Sequence, residues 1–96
     1  MITVRIEHPI TNFDTWKAAF DRDPVDRRGS GVRRYQVQRP LDDPEYLMID
    51  LDFDTADQAT GFLAKMQRVW ASRQAAPALG GAPRTRIVQT VEAVDL

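Results

Sequence analysis

The sequence contains no cysteine and only one histidine, His8, among its 96 residues. The first absence excludes a disulfide framework, a thiolate nucleophile and a zinc–thiolate site. The second argues against a metal site, because such a site gathers several histidine or carboxylate ligands, and the spacing along this chain does not supply them. We therefore expect no metal ion.

Long apolar runs and an excess of charge of one sign are also missing. No apolar stretch approaches the length of a membrane span, and the first residues lack the apolar core of a signal peptide. The net charge of −1 gives no general attraction to nucleic acid or to acidic membranes. The arginine pairs at 27–28 and 33–34 form no continuous basic stripe. We expect a cytoplasmic protein that binds neither nucleic acid nor a membrane.

The first half of the chain predicts a strand, a helix and a second strand. Residues 2–8 alternate apolar and polar side chains, as a strand with one buried face does. A helix with aromatic residues on one side follows, and it should end before Pro24, which disfavours helical geometry in the preceding residue. Residues 32–39 predict the second strand, with Tyr35 and Val37 as its buried pair.

The second half predicts a strand, a helix and a last strand. Residues 46–53 alternate regularly and give the strongest strand pattern. Thr55 opens the following helix, with Gln58 three residues later in a capping-box pattern. Pro77 begins a loop after this helix, and residues 85–94, rich in valine and threonine, predict the last strand.

The predicted order β-α-β-β-α-β defines the fold class. With right-handed crossovers on one sheet, it is the α+β ferredoxin-like fold, a four-stranded antiparallel sheet with two helices on one face. The first and third strands are then central, and the second and fourth lie at the edges. We expect residues 1–96 to form a single domain.

His8 is the first candidate for chemistry. It is in phase with Val4 and Ile6, so its ring should point towards the helices from the end of a central strand. An unperturbed imidazole has a pKa near ~6.5, which suits a general base in a partly buried pocket. Alternatively, His8 caps the following turn or fills the end of the sheet, since the sequence supplies neither a nucleophile nor an oriented partner.

Aromatic and other apolar side chains form the second set of candidates. They either line a cleft for a flat apolar ligand or fill the core between helices and sheet. Trp16 is the better functional candidate, because it lies within about two helical turns of His8 and has a polar N–H. The core interpretation suits Phe20 and Phe62. The predicted substrate-binding residues are Phe13, Trp16, Tyr35, Phe62, Met66 and Trp70.

Asp50 and Asp52 lie two residues apart on one face of the third strand. A metal site or an acid–base pair is conceivable there, because neighbouring carboxylates push their pKa values apart. However, Arg5 and Arg34 fall on the same face of the adjacent strands. Cross-strand ion pairs explain the two acids without any chemistry, and we expect those pairs.

Three segments carry a resemblance to a known group of proteins. They are the strand that ends at His8 together with residues 13–21, the turn Asp42-Asp43-Pro44, and residues 53–59. They resemble small proteins of the dimeric α+β barrel group, and the resemblance spans nearly the whole chain. This group includes antibiotic-biosynthesis-monooxygenase-like domains and relatives that are often labelled cyclases.

The resemblance implies a homodimer in which two sheets pack face to face, with a cleft in each subunit between its sheet and helices. Monooxygenases of this group oxidise polycyclic aromatic substrates with molecular oxygen and use no metal or flavin, so the resemblance implies that this protein needs no cofactor. By position, this sequence offers His8, Trp16 and Tyr35 to such a cleft. Haem-degrading relatives carry an iron-ligating histidine on a helix, and neither predicted helix here contains one.

The predicted outer face of the sheet departs from this expectation, because it is polar for a buried contact between sheets. Buried charges stabilise a contact only when they are well paired. A solvated monomer face therefore fits the sequence as well, and the homodimer is predicted on the resemblance. The outer face offers Thr3, Arg5, Glu7, Arg34, Gln36, Asp50 and Asp52.

Three hypotheses follow for the function. The first is a homodimer whose apolar cleft accepts an aromatic or polyketide-like small molecule, acting as a cofactor-independent monooxygenase with His8 as the base. The second is a polyketide cyclase-like enzyme, which needs acid–base help but no oxygen. The third is a non-catalytic dimerisation or ligand-sensing domain, in which His8 is hydrogen-bonded into the structure and the cleft is filled by Trp16, Phe62, Met66 and Trp70. An open cavity that reaches His8 would argue against the third.

Overall fold

Six elements follow one another in residues 1–72 and 79–96, the part of the chain that this computed structural model describes. Each predicted strand and helix has a counterpart among them. The elements are β1 (Ile2–Pro9), α1 (Phe13–Asp21), β2 (Arg34–Gln38), β3 (Tyr46–Phe53), α2 (Ala56–Ala71) and β4 (Arg84–Gln89).

The four strands form an antiparallel sheet in the order β2-β3-β1-β4, so the first and third strands are central. Apolar side chains of α1 and α2 pack against the same face of this sheet. The other face carries no helix in the described part of the chain. The predicted α+β ferredoxin-like fold is confirmed.

Strand register decides which face each side chain occupies. In the antiparallel pair of β1 and β3, Ile6 lies opposite Ile49. One step further along, His8 lies opposite Leu47. All four side chains are buried on the helix-covered face. Because side chains alternate along a strand, the residues between them point to the open face.

Each helix begins at a side-chain cap. Asn12 Oδ1 accepts a hydrogen bond from the backbone N–H of Thr15 at 2.8 Å. Thr55 Oγ1 accepts one from the backbone N–H of Gln58 at 3.2 Å, as the capping-box pattern predicted. Such caps satisfy N–H groups that have no partner within the helix. The cap at Asn12 starts α1 immediately after the turn that follows β1, which brings Trp16 close to the end of that strand.

The second strand differs from its prediction in length and in burial. β2 covers Arg34–Gln38 and not 32–39, and its expected buried pair is exposed, Tyr35 by 41% and Val37 by 36%. The reason is position in the sheet. β2 is an edge strand, whereas α2 packs mainly across β1, β3 and β4. Tyr35 is covered only in part, by the ring of Phe20.

The last strand is shorter than predicted. β4 ends at Gln89, although residues 85–94 have a strand-like composition. Its only neighbour in the sheet is β1, and Gln89 already lies opposite Ile2 at the beginning of that strand. Thr90 still donates its backbone N–H to the Met1 carbonyl oxygen at 3.0 Å, but the residues after it lie beyond the beginning of β1, and Val91 is 91% exposed.

The second helix ends at Ala71, where Ser72 forms its C-cap. The loop predicted to begin at Pro77 starts outside the described residues. At the far side of that loop, the backbone N–H of Gly80 donates to the carbonyl oxygen of Pro9 at 3.0 Å. Neither described helix is long and apolar enough to cross a membrane.

Candidate functional site

A cleft lies between the sheet and the two helices, at the end of β1 where His8 is placed. Its floor consists of side chains from the two central strands, and its walls come from both helices and from the loop after α1. The floor residues are Ile6, His8, Ile49 and Leu51. The walls include Trp16 and Phe20 of α1, Phe62, Met66 and Trp70 of α2, and Val25 and Arg27 of the loop.

The cleft is small. The volume that water-sized molecules can reach within it is about 80 Å³, enough for a handful of them. A ligand with several fused rings must therefore extend out of the mouth of the cleft. Because the open space reaches His8, this region is not solid core.

The His8 imidazole is held in one orientation by a hydrogen bond to the backbone. Its Nδ1 lies 2.7 Å from the carbonyl oxygen of Pro9. A carbonyl oxygen only accepts hydrogen bonds, so Nδ1 carries the proton in the neutral ring, and Nε2 keeps a free lone pair. The bond to Pro9 therefore fixes the tautomer in which Nε2 can act as a base.

Burial keeps this imidazole neutral. His8 is only 2% exposed, and its desolvation lowers the pKa below the ordinary value of 6.5. The hydrogen bond to the Pro9 carbonyl acts in the opposite direction but is the smaller effect. At neutral pH the ring is therefore in its basic, uncharged form.

Two nitrogens in the cleft are available to a ligand. Within the described residues, His8 Nε2 and the indole N–H of Trp16 have no hydrogen-bond partner. No fully buried side-chain nitrogen or oxygen in this part of the chain lacks a partner. Neither atom is therefore fully enclosed, and both residues line the cleft. One of the two atoms accepts a hydrogen bond and the other donates one.

Most of the predicted site residues lie around this cleft. His8, Trp16, Phe62, Met66 and Trp70 line it. Trp16 is fixed by stacking on Phe20, with 4.7 Å between the ring centroids. The candidate site thus combines residues that the sequence places on three separate elements.

Phe13 and Tyr35 are placed beside the cleft and do not line it. The Phe13 ring packs against Trp16, with 5.9 Å between centroids, and the Arg39 guanidinium lies over its other side. Tyr35 packs against Phe20 at 5.2 Å, on the edge strand. Both side chains support the residues that form the wall.

Sequence reasoning missed the contribution of the loop after α1. Val25 is buried, and Arg27 places its guanidinium carbon 3.8 Å from the centroid of the Phe20 ring. The loop turns through positive φ values of 52° at Asp23 and 50° at Asp26, which no periodic pattern predicts. The spacing of Asp23 and Arg27, four residues apart, was the one available signal for their ion pair.

The open face of the sheet contains ion pairs between neighbouring strands, as expected. Arg5 Nε lies 2.9 Å from Asp50 Oδ1, and Arg34 Nε lies 3.6 Å from Asp52 Oδ2. The Thr3 hydroxyl also donates to Asp52, at 2.6 Å. Within residues 1–72 and 79–96, no three histidine, cysteine, aspartate or glutamate side chains lie close enough to hold a metal ion.

No protein-family model matches the chain, and no curated protein sequence matches it. Solved structures do share its fold. SnoaB, a cofactor-independent oxygenase from Streptomyces nogalater, is 10% identical and covers 97% of this chain and 95% of its own, with a TM-score of 0.75. The monooxygenase from the gene ActVA-Orf6 of Streptomyces coelicolor, solved with nanaomycin D, is 12% identical and covers 99% and 91%, with a TM-score of 0.67.

A dimeric ferredoxin-like protein from an uncultured marine organism is similar as well. It is 12% identical to this chain and covers 97% of each of the two chains, with a TM-score of 0.69. At these identities the likeness establishes the shared fold. The structural neighbours also include a protein described as an antibiotic biosynthesis monooxygenase, which agrees with the resemblance found in the sequence.

Proposed function

We propose that the protein binds an aromatic or polyketide-like small molecule in this cleft and oxidises it as a cofactor-independent monooxygenase. The observation that carries the proposal is a buried, neutral imidazole, with Nε2 free of any hydrogen bond, on a residue that lines an apolar cleft. The fold shared with SnoaB, itself a cofactor-independent oxygenase, supports the choice of reaction.

In the proposed reaction, His8 Nε2 removes a proton from an anthrone-type carbon of the substrate. The carbanion forms a bond to one atom of molecular oxygen, and the protonated imidazole returns its proton to give a hydroperoxide. Loss of water from the hydroperoxide then leaves a carbonyl group, so the substrate supplies all of the electrons. An activated phenol would be deprotonated by the same nitrogen.

The environment of His8 restricts the kind of substrate. Because burial lowers its pKa, the imidazole is unprotonated at neutral pH but is a weaker base than an exposed histidine. It needs a substrate whose anion is delocalised over several rings, which phenols and anthrone-type carbons provide. The apolar walls then strengthen the attraction between the substrate anion and the imidazolium.

Trp16 and Tyr35 are proposed to position the substrate. The indole N–H of Trp16 borders the cleft and is suited to donate a hydrogen bond to a substrate oxygen. Its stacking on Phe20 limits the orientations of the ring. Tyr35, next to Phe20 at the edge of the sheet, would contact the part of a larger substrate that extends out of the mouth.

Oxygen uptake with a panel of hydroxylated polycyclic compounds tests the proposal. The variant His8→Asn should lose about 10²- to 10⁴-fold in rate, the usual contribution of a general base. Asp42→Asn, in the exposed turn before β3, is the matched control and should retain the wild-type rate. Unchanged oxygen uptake in His8→Asn would remove His8 from the mechanism.

The two other hypotheses use the same cleft and are separated by the same assay. A polyketide cyclase-like enzyme would form its product without oxygen, so turnover under anaerobic conditions would identify it. A ligand-sensing domain would bind the compounds without converting any of them. A fixed base form of His8 would serve a cyclase as well as an oxygenase, and the hydrogen bond from His8 to Pro9 also fits a ligand-sensing domain. The fold shared with SnoaB, a cofactor-independent oxygenase, favours the first hypothesis.

We also propose that the protein is a homodimer. One structural neighbour is described as a dimeric ferredoxin-like protein. The residues after β4 support the proposal, because Val91, Val94 and Leu96 are exposed apolar side chains that a partner subunit would cover. The ion pairs of the open face already neutralise each other within one chain, which lowers the cost of burying that face.

Light scattering at micromolar concentration tests the dimer. The full chain should have twice the mass of one chain, and a chain that ends at Thr90 should dissociate at least about tenfold more readily, since it loses the three exposed apolar side chains. Circular dichroism of the shortened chain checks that its fold is retained. A monomeric mass of the full chain would contradict the proposal.

A further inference from the structure

The loop after α1 brings a positive charge to an otherwise apolar cleft. Arg27 lines both the cleft and a neighbouring hollow on the surface, so it stands where the cleft opens. Its guanidinium carbon lies 3.8 Å from the centroid of the Phe20 ring and 5.1 Å from that of Tyr35. The side chain is 17% exposed, which keeps the charge at the boundary between the cleft and solvent.

Hydrogen bonds hold Arg27 in this position. Its Nη1 donates to the carbonyl oxygen of Phe20 at 2.8 Å. Its backbone N–H donates to Asp23 Oδ1 at 2.9 Å, and its Nε lies 3.3 Å from the same oxygen. The guanidinium is therefore placed before any ligand arrives, which reduces the conformational entropy that binding would cost.

One nitrogen of this guanidinium remains available. Nη1 and Nε face Phe20 and Asp23, whereas Nη2 has no partner among the described residues. The Arg27 charge is also only partly balanced, because the contact with Asp23 is long and the Asp23 side chain is 36% exposed. Two N–H groups on Nη2 are free to bind an acceptor.

The surroundings of Arg27 add positive charge. Arg28, Arg33 and Arg34 line the same surface hollow. Arg33 is paired with Asp54 at 2.7 Å and Arg34 with Asp52 at 3.6 Å, while Arg28 has no carboxylate within ion-pair distance in the described part of the chain. The mouth of the cleft therefore favours a ligand group that is negatively charged.

We propose that Arg27 binds a carboxylate of the ligand, so that the protein selects aromatic acids over neutral aromatic compounds. The ring of such a ligand lies in the cleft and its carboxylate lies at the mouth. Guanidinium groups form strong, charge-assisted hydrogen bonds with carboxylates. This inference rests on the proposed function in one respect, since it requires that the ligand occupy this cleft.

A matched pair of probes tests the selection, naphthalene-2-carboxylate and its neutral counterpart naphthalene-2-carboxamide. Both tryptophans of the chain line the cleft, so quenching of tryptophan fluorescence reports binding of either probe. The wild type should bind the carboxylate at least about tenfold more tightly than the carboxamide, which is the usual effect of a hydrogen bond to a charged group. Equal affinity for the two probes would overturn the inference and leave the apolar cleft intact.

Two substitutions should move the preference in opposite directions. Arg27→Gln removes the charge and should abolish the preference, while affinity for the carboxamide stays within about twofold. Asp23→Asn removes the competing carboxylate and should strengthen carboxylate binding by about threefold. Asparagine tolerates the positive φ of 52° at this position and keeps the acceptor for the Arg27 N–H. A purely structural role of Arg27 predicts no gain in Asp23→Asn.

Arg68→Gln is the matched control, because it removes the same charge from an exposed position of α2 that lines neither the cleft nor the hollow beside it. Its preference should stay within about twofold of wild type, and a loss as large as that in Arg27→Gln would overturn the assignment to Arg27. If thermal melting shows that Arg27→Gln does not fold, Arg27→Lys and Asp23→Asn carry the test. Failure of the wild type to bind either probe would overturn the proposed cleft function together with this inference.

Discussion

The two faces of the sheet differ in how they accommodate polar groups. On the helix-covered face, His8 is the only polar side chain that the two central strands contribute in the described part of the chain, and it is bonded to the backbone of Pro9. On the open face, the side chains of β1 are paired with those of β3, as in the ion pair of Arg5 and Asp50. Because side chains alternate between the two faces along a strand, consecutive residues of β1 lie in these two different environments.

This difference separates the proposed roles of the two faces. A lone polar group among apolar side chains is costly to charge, which gives His8 its lowered pKa and makes it useful as a base. Polar groups that are already paired offer little chemistry, but a second protein surface can cover them at low cost. The proposed ligand chemistry therefore belongs to the helix-covered face, and the proposed dimer contact belongs to the open face.

The largest expected effect comes from truncating a side chain on the helix-covered face. Phe53 is fully buried, so Phe53→Ala should lower the free energy of unfolding by about 3–5 kcal/mol through lost burial and a residual cavity. Urea unfolding followed by circular dichroism measures it. Asp50→Ala, on the opposite face of the same strand, is the control and should cost about 1 kcal/mol or less. Equal losses would show that the two faces do not differ in this way.

Much of the fold could be predicted because it depends on local periodicity. Buried and exposed side chains alternate along strands β1 and β3, and Thr55 marks the beginning of α2 because threonine is a preferred helix-capping residue. His8, Trp16 and the cleft residues of α2 lie on these regular elements. The side of the strand or helix on which each of these residues lies follows from the regular period of that element. The sequence alone therefore predicts that they face the cleft.

The remaining features depend on tertiary contacts, which leave no periodic pattern in the sequence. Tyr35 is exposed because β2 is at the sheet edge, and β4 ends where β1 has no further residue to pair with. Arg27 reaches the cleft because its loop is closed by contacts such as the hydrogen bond from Ser30 Oγ to the Val25 carbonyl, at 2.7 Å. Only the folded chain brings these groups together.

The titration of His8 is expected to change the free energy of unfolding by an intermediate amount. Because its native pKa lies below 6.5, the unfolded chain binds the proton more readily between the two pKa values. The resulting stability is complete above pH 6.5 and is lost as the pH falls from there towards the native pKa. Urea midpoints of the wild type should therefore fall between about pH 7.5 and about pH 5.5.

The control for this titration is His8→Asn, in which the decline over the same pH range should be smaller. Carboxylates of the open face contribute equally to both proteins and cancel in the comparison. Parallel curves for the two proteins would mean that His8 has the same proton affinity in the folded and unfolded chains. Burial on the helix-covered face would then not explain why the imidazole of His8 is uncharged.

The smallest expected effect concerns the ion pair of Arg5 and Asp50 on the open face. Their side chains are 49% and 22% exposed, so a double-mutant cycle with alanine should give a coupling free energy of only about 0.2–1 kcal/mol in the monomer. Repeating the cycle at protein concentrations that favour the dimer should give a larger value, because burial removes the screening by water. A coupling that does not depend on concentration would mean that this face stays in solvent and that the proposed dimer uses another surface.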